Sequence, residues 1–188
     1  MEMSHEQEKN INRPKDGRGQ NTRLLVREVT GEEIHFALET EGRVVLEALG
    51  PEDTFALGKI LGGMGMPGQV VTLTGDLGAG KTVFAQGFAG GLGVEGPVNS
   101  PTFTILQVYQ GGRLPFYHFD VYRIGDIEEM EETGFEDCIY GEGVCLIEWA
   151  DLIGEILPRE RLQVTLEREP EKDFNYRKIT IEKRTDLP

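Results

Sequence analysis

The chain has 188 residues and a formal net charge of −14. This length suits one compact domain with a real core, and so acidic a chain is a poor candidate for holding a nucleic-acid backbone by itself, which argues against a DNA-binding protein. No apolar run reaches the length of a membrane span, and residues 1–20 contain no apolar segment typical of a signal peptide. Cys138 and Cys145 lack metal-binding spacing. We therefore expect a cytoplasmic protein.

The first part of the chain gives few structural signals. Residues 1–22 are polar and show no hydrophobic periodicity, which predicts a disordered tail before a single domain at 23–188. Leu24 to Val29 is compatible with a short extra strand, and Glu32 to Glu39 with either a helical turn or more strand. A strand is predicted at Arg43 to Leu49, and a helix beginning at Pro51 to Thr54 follows it.

An apolar strand, a glycine loop and the beginning of a helix follow one another between Gln69 and Ala89. The loop fits the pattern GxxxxGK[ST]. Its residues are Gly75, Asp76, Leu77, Gly78, Ala79, Gly80, Lys81 and Thr82. Glycines let consecutive N–H groups point at a phosphate chain, and the helix adds the positive end of its dipole. In such a loop the lysine reaches the β- and γ-phosphates and the threonine hydroxyl ligates Mg²⁺. The sequence therefore predicts a nucleotide-binding loop.

The second half of the chain alternates strands and short helices. Strand-like runs at 104–110 and 113–120 are separated by Gly111-Gly112, which predicts a two-residue hairpin. Val144 to Trp149 has the apolar character of a buried parallel strand. Short helices are predicted at 126–132 and 150–157, and a closing strand pair at 161–168 and 176–183. The order indicates an α/β fold: a three-layer sandwich of the P-loop NTPase type, with a mostly parallel sheet and antiparallel strands at its edge.

A P-loop needs a second carboxylate at the end of a neighbouring strand, to hold Mg²⁺ directly or through water. Asp120 and Glu148 both end predicted strands. Glu148 follows the more apolar strand, but the sequence leaves open which of the two ligates the metal directly. Thr102 lies in a Ser-Pro-Thr segment where a switch loop would be, although an ordinary proline turn is the alternative. No guanine-reading N/T-K-x-D motif is present, which favours ATP over GTP.

Seven acidic residues without a lysine or arginine among them lie between Asp126 and Asp137. A solvated helix face is the default interpretation, and a docking surface for a basic partner is the alternative. Arg123 is compatible with an arginine finger, but a structural salt bridge is the simpler hypothesis.

Four motifs together resemble one known family. They are Gly-Asp-Leu-Gly-Ala-Gly-Lys-Thr at 75–82, Ser-Pro-Thr-Phe at 100–103, His-Phe-Asp-Val-Tyr-Arg at 118–123 and Ile-Glu-Trp at 147–149. In this order and combination they resemble the TsaE family of bacterial P-loop ATPases. The resemblance covers roughly 44–181, and the start of the chain is longer than the family pattern needs.

The resemblance implies an ATPase that binds and slowly hydrolyses ATP with Mg²⁺. It implies a role beside TsaD and TsaB in making threonylcarbamoyladenosine at position 37 of tRNA, with the tRNA held by those partners. By motif position, Lys81 and the loop amides would bind phosphates, and Thr82 with Glu148 would hold Mg²⁺. Asp120 would support the metal shell or the attacking water. Nucleotide contacts are also expected from Thr54, Val83, Thr102 and Trp149.

Two other hypotheses remain open. A small-molecule P-loop kinase usually has a lid with several arginines, and between Gly93 and Pro158 only Arg113 and Arg123 are present. A nucleotide-dependent adaptor that hydrolyses nothing would differ from an ATPase in tolerating loss of Glu148.

Overall fold

The computed structural model describes residues 23–185, and the predicted tail at 1–22 lies outside them. In this part of the chain, one sheet of eight strands is covered by helices on both faces. The strands are β1 Leu24–Leu25, β2 Arg43–Ala48, β3 Val70–Thr74, β4 Leu106–Tyr109, β5 Phe116–Asp120, β6 Val144–Glu148, β7 Glu160–Glu167 and β8 Arg177–Thr185. The helices are α1 Gly31–Glu41, α2 Pro51–Met64, α3 Lys81–Gly91 and α4 Phe135–Ile139. Short 3-10 helices lie at Val26–Glu28, Ile127–Thr133 and Ala150–Ile156.

The sheet has the order β1-β2-β8-β7-β3-β6-β5-β4. Strands β7, β3, β6 and β5 are parallel to one another, and β1 and β2 run in the same direction as they do. Strand β4 is antiparallel at one edge, whereas β8 is antiparallel inside the sheet, between β2 and β7. The predicted α/β three-layer sandwich with a mostly parallel sheet is confirmed, and β8 adds an antiparallel strand away from the edge.

Strand β6 shows why the sheet carries a hydrophobic core on each face. Its side chains alternate between the two faces, as the pleat requires. Val144 and Leu146 join the core under α1, α2 and α3, while Cys145 and Ile147 join a second core with Phe135 of α4. All five residues of this strand are buried, which explains its nearly continuous apolar sequence.

Helices α2 and α3 touch through their backbones. A Cβ atom added at Gly62 would lie 2.0 Å from the carbonyl oxygen of Phe88, and one added at Gly87 would lie 2.0 Å from that of Phe55. Gly58 and Gly91 have the same kind of close contact. Only glycine fits at these positions, so the glycines hold α3, the helix that follows the glycine loop, directly against α2.

The segment before β2 belongs to the core. Thr30 and Glu33 form a reciprocal capping box at the beginning of α1, and Gly42, with φ +67°, ends that helix. Ile34 and Leu38 are buried in the core under α1, α2 and α3, which is the main core of the protein. The helical alternative for residues 32–39 is thus the correct one, whereas the strand considered at 24–29 is limited to Leu24–Leu25.

The predicted two-residue hairpin at Gly111-Gly112 is wrong. Strands β4 and β5 do pair antiparallel, but their last pair is Tyr109 with Phe116, which leaves a six-residue connection. The reason is long-range: the amide of Arg113 donates to the carbonyl of Leu92, and its guanidinium donates to three carbonyls at the end of α2. The connection is therefore held against the helices instead of closing a tight turn.

The predicted acidic helix is a 3-10 helix at Ile127–Thr133. Asp126 accepts a hydrogen bond from the amide of Glu128, and Glu129 accepts from the amides of Gly125 and Asp126. At least two of the seven acids therefore cap this helix. Within 23–185, no helix combines the length and apolar character needed to cross a membrane.

Candidate functional site

The loop between β3 and α3 has backbone angles that require glycine. Gly75, Gly78 and Gly80 have φ values of +139°, +72° and +105°. A Cβ at Gly75 would also lie 2.3 Å from the carbonyl oxygen of Leu166 in β7. The glycines of the sequence motif thus let the chain turn sharply from the strand into the helix. The loop leads directly into the N-terminus of α3, and a glycine loop followed by a helix N-terminus is an arrangement that binds anions.

Lys81 lies folded against this loop. Its Nζ donates hydrogen bonds to the carbonyl oxygens of Gly75 and Asp76, the second at 3.0 Å, and lies 3.4 Å from the centroid of the Trp149 ring. Burial lowers the pKa of Lys81, and the carboxylates of Glu148 and Asp120 oppose that shift. The ammonium is therefore poorly hydrated and placed to gain from a negatively charged ligand.

Glu148 is buried at the end of β6, directly beside β3. One carboxylate oxygen, Oε2, accepts a hydrogen bond from the hydroxyl of Thr82 at 3.3 Å. The other, Oε1, lies 2.9 Å from Nε2 of His118, a histidine with no exposed surface. Nδ1 of His118 has no partner within the described residues, which favours the tautomer that carries its proton on Nε2 and donates it to Glu148.

Asp120 occupies the position beside Glu148 on the neighbouring strand β5. Its Oδ2 accepts hydrogen bonds from the hydroxyls of Ser100 and Thr102, the latter at 2.6 Å, and its Oδ1 accepts from the amide of Tyr122 at 3.1 Å. Thr102 is thus fixed to a buried carboxylate. The segment that the sequence analysis named as a switch is connected to the strand end that carries the acid.

Trp149 follows Glu148 in a left-handed backbone conformation, with φ +63° and ψ +33°. This conformation is uncommon for a residue with a Cβ atom, and residues that adopt it are frequent at functional sites. The indole packs on Tyr122 with 4.8 Å between ring centroids and covers the ammonium of Lys81. Trp149 therefore forms one wall of the site.

Thr54 lies apart from the carboxylates. It is buried and lines a cleft of about 120 Å³ together with Gly78, Gly80 and Val83. Pro51, Ala79, Asn175 and Arg177 complete the lining. The structure thus divides the predicted residues into two groups that meet at the loop. Lys81, Thr82, Thr102, Asp120, Glu148 and Trp149 lie on one side, and Thr54 and Val83 on the other. Leu77 is 77% exposed at the tip of the loop.

Two arginines that belong to none of the predicted site residues also contact the loop. Nη2 of Arg168 donates to the carbonyl of Gly78 at 2.7 Å, and Nε of Arg177 donates to that of Ala79 at 2.7 Å. The arginines come from the connection and strand after β7, about 90 positions along the chain from the loop, and belong to no motif. No local signal could have found them. Arg123, considered as a finger or a salt bridge, lies over the ring of Phe103 at 4.5 Å.

Known proteins resemble this chain across most of its length. The family described as "Threonylcarbamoyl adenosine biosynthesis protein TsaE" matches residues 49–179. The tRNA threonylcarbamoyladenosine biosynthesis protein TsaE of Bacillus subtilis is 55% identical over 118 residues, which are 63% of this chain and 73% of that protein. The protein of the same name from Treponema pallidum is 44% identical over 115 residues, 61% of this chain and 84% of its own.

A solved structure agrees with these sequences. The crystal structure of Bacillus subtilis YdiB superposes with a TM-score of 0.65 at 43% identity, and the match covers 76% of this chain and 86% of that one. The family match spans well over half of the chain, including the glycine loop and both strand-end carboxylates. The chain therefore belongs to the TsaE family of tRNA threonylcarbamoyladenosine biosynthesis proteins.

Proposed function

We propose that this protein binds ATP with Mg²⁺ and slowly hydrolyses it, as an accessory ATPase of TsaD and TsaB in the threonylcarbamoylation of tRNA adenosine 37. The observation that carries the proposal is the convergence of Lys81, Thr82 and Glu148 at the ends of two neighbouring strands. A glycine loop alone supports anion binding. A buried acid within hydrogen-bonding reach of the loop threonine adds the arrangement that P-loop ATPases need.

The residues present fit a nucleotide and a magnesium ion. Lys81 and the amides at the beginning of α3 would hold the phosphates, and the hydroxyl of Thr82 with the carboxylate of Glu148 would hold the metal. Asp120, fixed by Ser100 and Thr102, would orient the surrounding water. Mg²⁺ would supply neutralisation of phosphate charge. Val83 and Thr54 would contact the nucleotide on the side of the cleft.

The acidic character of the chain supports the proposal that partner proteins, and not this chain, bind the tRNA. A formal net charge of −14 disfavours direct contact with an RNA backbone. TsaD and TsaB homologues would hold the tRNA and carry out the transfer chemistry. In this proposal ATP hydrolysis resets the complex between turnovers.

The test is phosphate release from ATP with and without TsaD and TsaB, for wild type, Lys81→Ala and Glu148→Gln. We expect the partners to stimulate the wild type and both variants to lose that activity. A hydrolysis rate that is the same with and without TsaD and TsaB would contradict the role in the complex, and the protein would then be an ATPase that acts without them. If Glu148→Gln supports tRNA modification at the wild-type rate, the protein is a nucleotide-dependent adaptor instead. Phosphate found on a small acceptor would indicate a kinase.

A further inference from the structure

Two guanidinium groups meet at the outer side of the glycine loop. Arg177 is buried and donates four hydrogen bonds, all to carbonyl oxygens: Ala79 at 2.7 Å, Gly78 at 3.1 Å, Phe174 at 2.7 Å and Tyr176 at 2.6 Å. The exposed Arg168 donates to the same Gly78 carbonyl at 2.7 Å. Within residues 23–185, neither arginine forms an ion pair with a carboxylate. A buried charge without a counter-charge is costly, and here the four carbonyl oxygens are the groups that offset this cost.

The direction of these hydrogen bonds fixes the direction of the loop amides. The described residues contain no cis peptide bond, and in a trans peptide the carbonyl and the N–H point to opposite sides. Because Nε of Arg177 holds the Ala79 carbonyl outward, the N–H of Gly80 points away from the β7–β8 connection. Among the described residues that amide has no acceptor. The positive charge on the carbonyl side also polarises the peptide and makes its N–H a stronger donor.

We propose that Arg177, assisted by Arg168, is a positioning residue that aims the Gly80 amide of the glycine loop at a bound phosphate group. The inference rests on the proposed nucleotide-binding function and deepens it. The fork of the guanidinium is essential, because two of its nitrogens hold two successive carbonyls, Gly78 and Ala79. A lysine supplies the charge but not this planar, two-point contact.

Burial lowers the pKa of Arg177, and the neighbouring Arg168 lowers it further. Burial removes water from the guanidinium and Arg168 adds a like charge, so both effects disfavour the positive charge that Arg177 carries at the loop. A bound phosphate on the opposite side of the loop supplies the missing negative charge. Nucleotide binding and the arginine contacts therefore stabilise one another.

The experiment measures nucleotide affinity through Trp149, the only tryptophan of the chain, whose ring contacts Lys81. ATP and ADP are titrated without Mg²⁺ into wild type, Arg177→Met and Arg177→Lys, and adenosine is titrated as the probe without phosphates. Arg184→Met is the matched control, because Arg184 lies on the same strand but contacts Gln163 and Glu182. Thermal unfolding without nucleotide reports on the fold of each variant.

We expect both Arg177 variants to bind ATP and ADP about tenfold or more weakly, with a smaller loss for adenosine, whose cleft Arg177 also lines, and with the control equal to wild type. Wild-type affinity in Arg177→Met would overturn the inference, and rescue by Arg177→Lys would show that charge acts without positioning. If Arg177→Met does not fold, Arg168→Met is the variant that tests the proposal, because the Arg168 side chain is exposed and makes one hydrogen bond to the loop. An ATP affinity of Arg168→Met equal to that of wild type would contradict the proposal. A wild type that binds no ATP would instead overturn the proposed function itself.

Discussion

Asp120 and Glu148 are register partners at the ends of β5 and β6, yet they are held by different parts of the chain. Glu148 accepts from the loop residue Thr82 and contacts His118, whereas Asp120 accepts from Ser100 and Thr102. Two adjacent carboxylates thus accept hydrogen bonds from two different segments of the chain. Glu148 is fixed to the glycine loop and Asp120 to the segment between α3 and β4, so their roles are experimentally separable.

Replacing Glu148 with glutamine tests the acid at the loop. The amide keeps the size and the hydrogen-bonding reach of the side chain but lacks its negative charge. We expect ATP hydrolysis to fall about 100-fold or more, with nucleotide binding retained. Phosphate release and equilibrium binding are measured side by side. Glu155→Gln, at an exposed glutamate shortly after Glu148, should behave as wild type. Hydrolysis at the wild-type rate in Glu148→Gln would exclude a catalytic role for this carboxylate.

Thr102→Val tests the segment attached to Asp120. Valine keeps the shape of threonine but removes the hydroxyl that donates to Asp120 at 2.6 Å. Because the hydrogen bond ends on a charged acceptor, its loss should loosen the segment and reduce partner-stimulated hydrolysis about tenfold. The control is Thr104→Val, at an exposed threonine two residues later. Equal stimulation of both variants by TsaD and TsaB would contradict a switch role.

The contact between α2 and α3 predicts a large stability loss for one alanine and none for its neighbour. At Gly62 a methyl group meets the Phe88 carbonyl at 2.0 Å, whereas at Gly63 it meets nothing within 4 Å. We expect Gly62→Ala to lower the free energy of unfolding by about 3 kcal/mol, which is roughly 6–12 °C in Tm. Gly63→Ala should be neutral or stabilise by up to about 1 kcal/mol, since alanine favours helix. Urea and thermal unfolding measure both, and equal effects would contradict the close contact.

The first helix should be essential for stability although it precedes the region matched by the family. Ile34 is 1% exposed and packs in the main core. We expect Ile34→Ala to cost about 2–5 kcal/mol of unfolding free energy, because the mutation leaves a cavity. His35→Ala, on the exposed side of α1, should leave the urea midpoint unchanged. A wild-type midpoint for Ile34→Ala would mean that α1 is not attached to the core in solution.

Tyr176 predicts a loss of stability at alkaline pH. Burial, together with the hydrogen bond to Glu47, raises the pKa of Tyr176 to about 12 from an ordinary value of 10.0. The folded protein therefore holds the phenolic proton more tightly than the unfolded chain does. This contribution is complete below about pH 10 and is lost as the pH rises toward about 12.

We expect the free energy of unfolding, measured in urea between about pH 9 and about pH 11.5, to fall less steeply in Tyr176→Phe than in wild type. Burial also raises the pKa of Cys145 to about 12, and this contribution is common to both proteins. Tyr140→Phe changes an exposed tyrosine and should keep the wild-type slope. Identical slopes for all three proteins would rule out the Tyr176 contribution.

The sequence was informative where function or burial constrains short segments. The glycine loop, its flanking strand and helix, and the buried strand β6 were predicted because their patterns are local: glycine spacing, apolar runs and capping residues. The proximity of Asp120 and Glu148 was predicted because the carboxyl ends of parallel strands meet at one edge of a sheet. Helix α1 also has a local signal, the capping box of Thr30 and Glu33, but its weak apolar pattern left helix and strand undecided.

Features set by distant contacts could not be predicted. The connection between β4 and β5 looked like a tight hairpin because Gly111-Gly112 is a strong local signal, but the distant contacts of Arg113 hold it open. Arg168 and Arg177 reach the loop only because β7 and β8 bring them there. Nothing in the neighbouring sequence distinguishes them from arginines on a solvated strand.

The glycine contact between α2 and α3 has a mechanical consequence. Helices separated by a layer of side chains slide past one another by small amounts, because those side chains can adopt other rotamers. Here carbonyl groups of one helix rest on the Cα atoms of the other, so no such layer exists at Gly62 and Gly87. Lys81 begins one of these helices and Thr54 lies in the first turn of the other. Any tilt of α3 therefore also moves α2, and with it the side of the cleft that Thr54 forms.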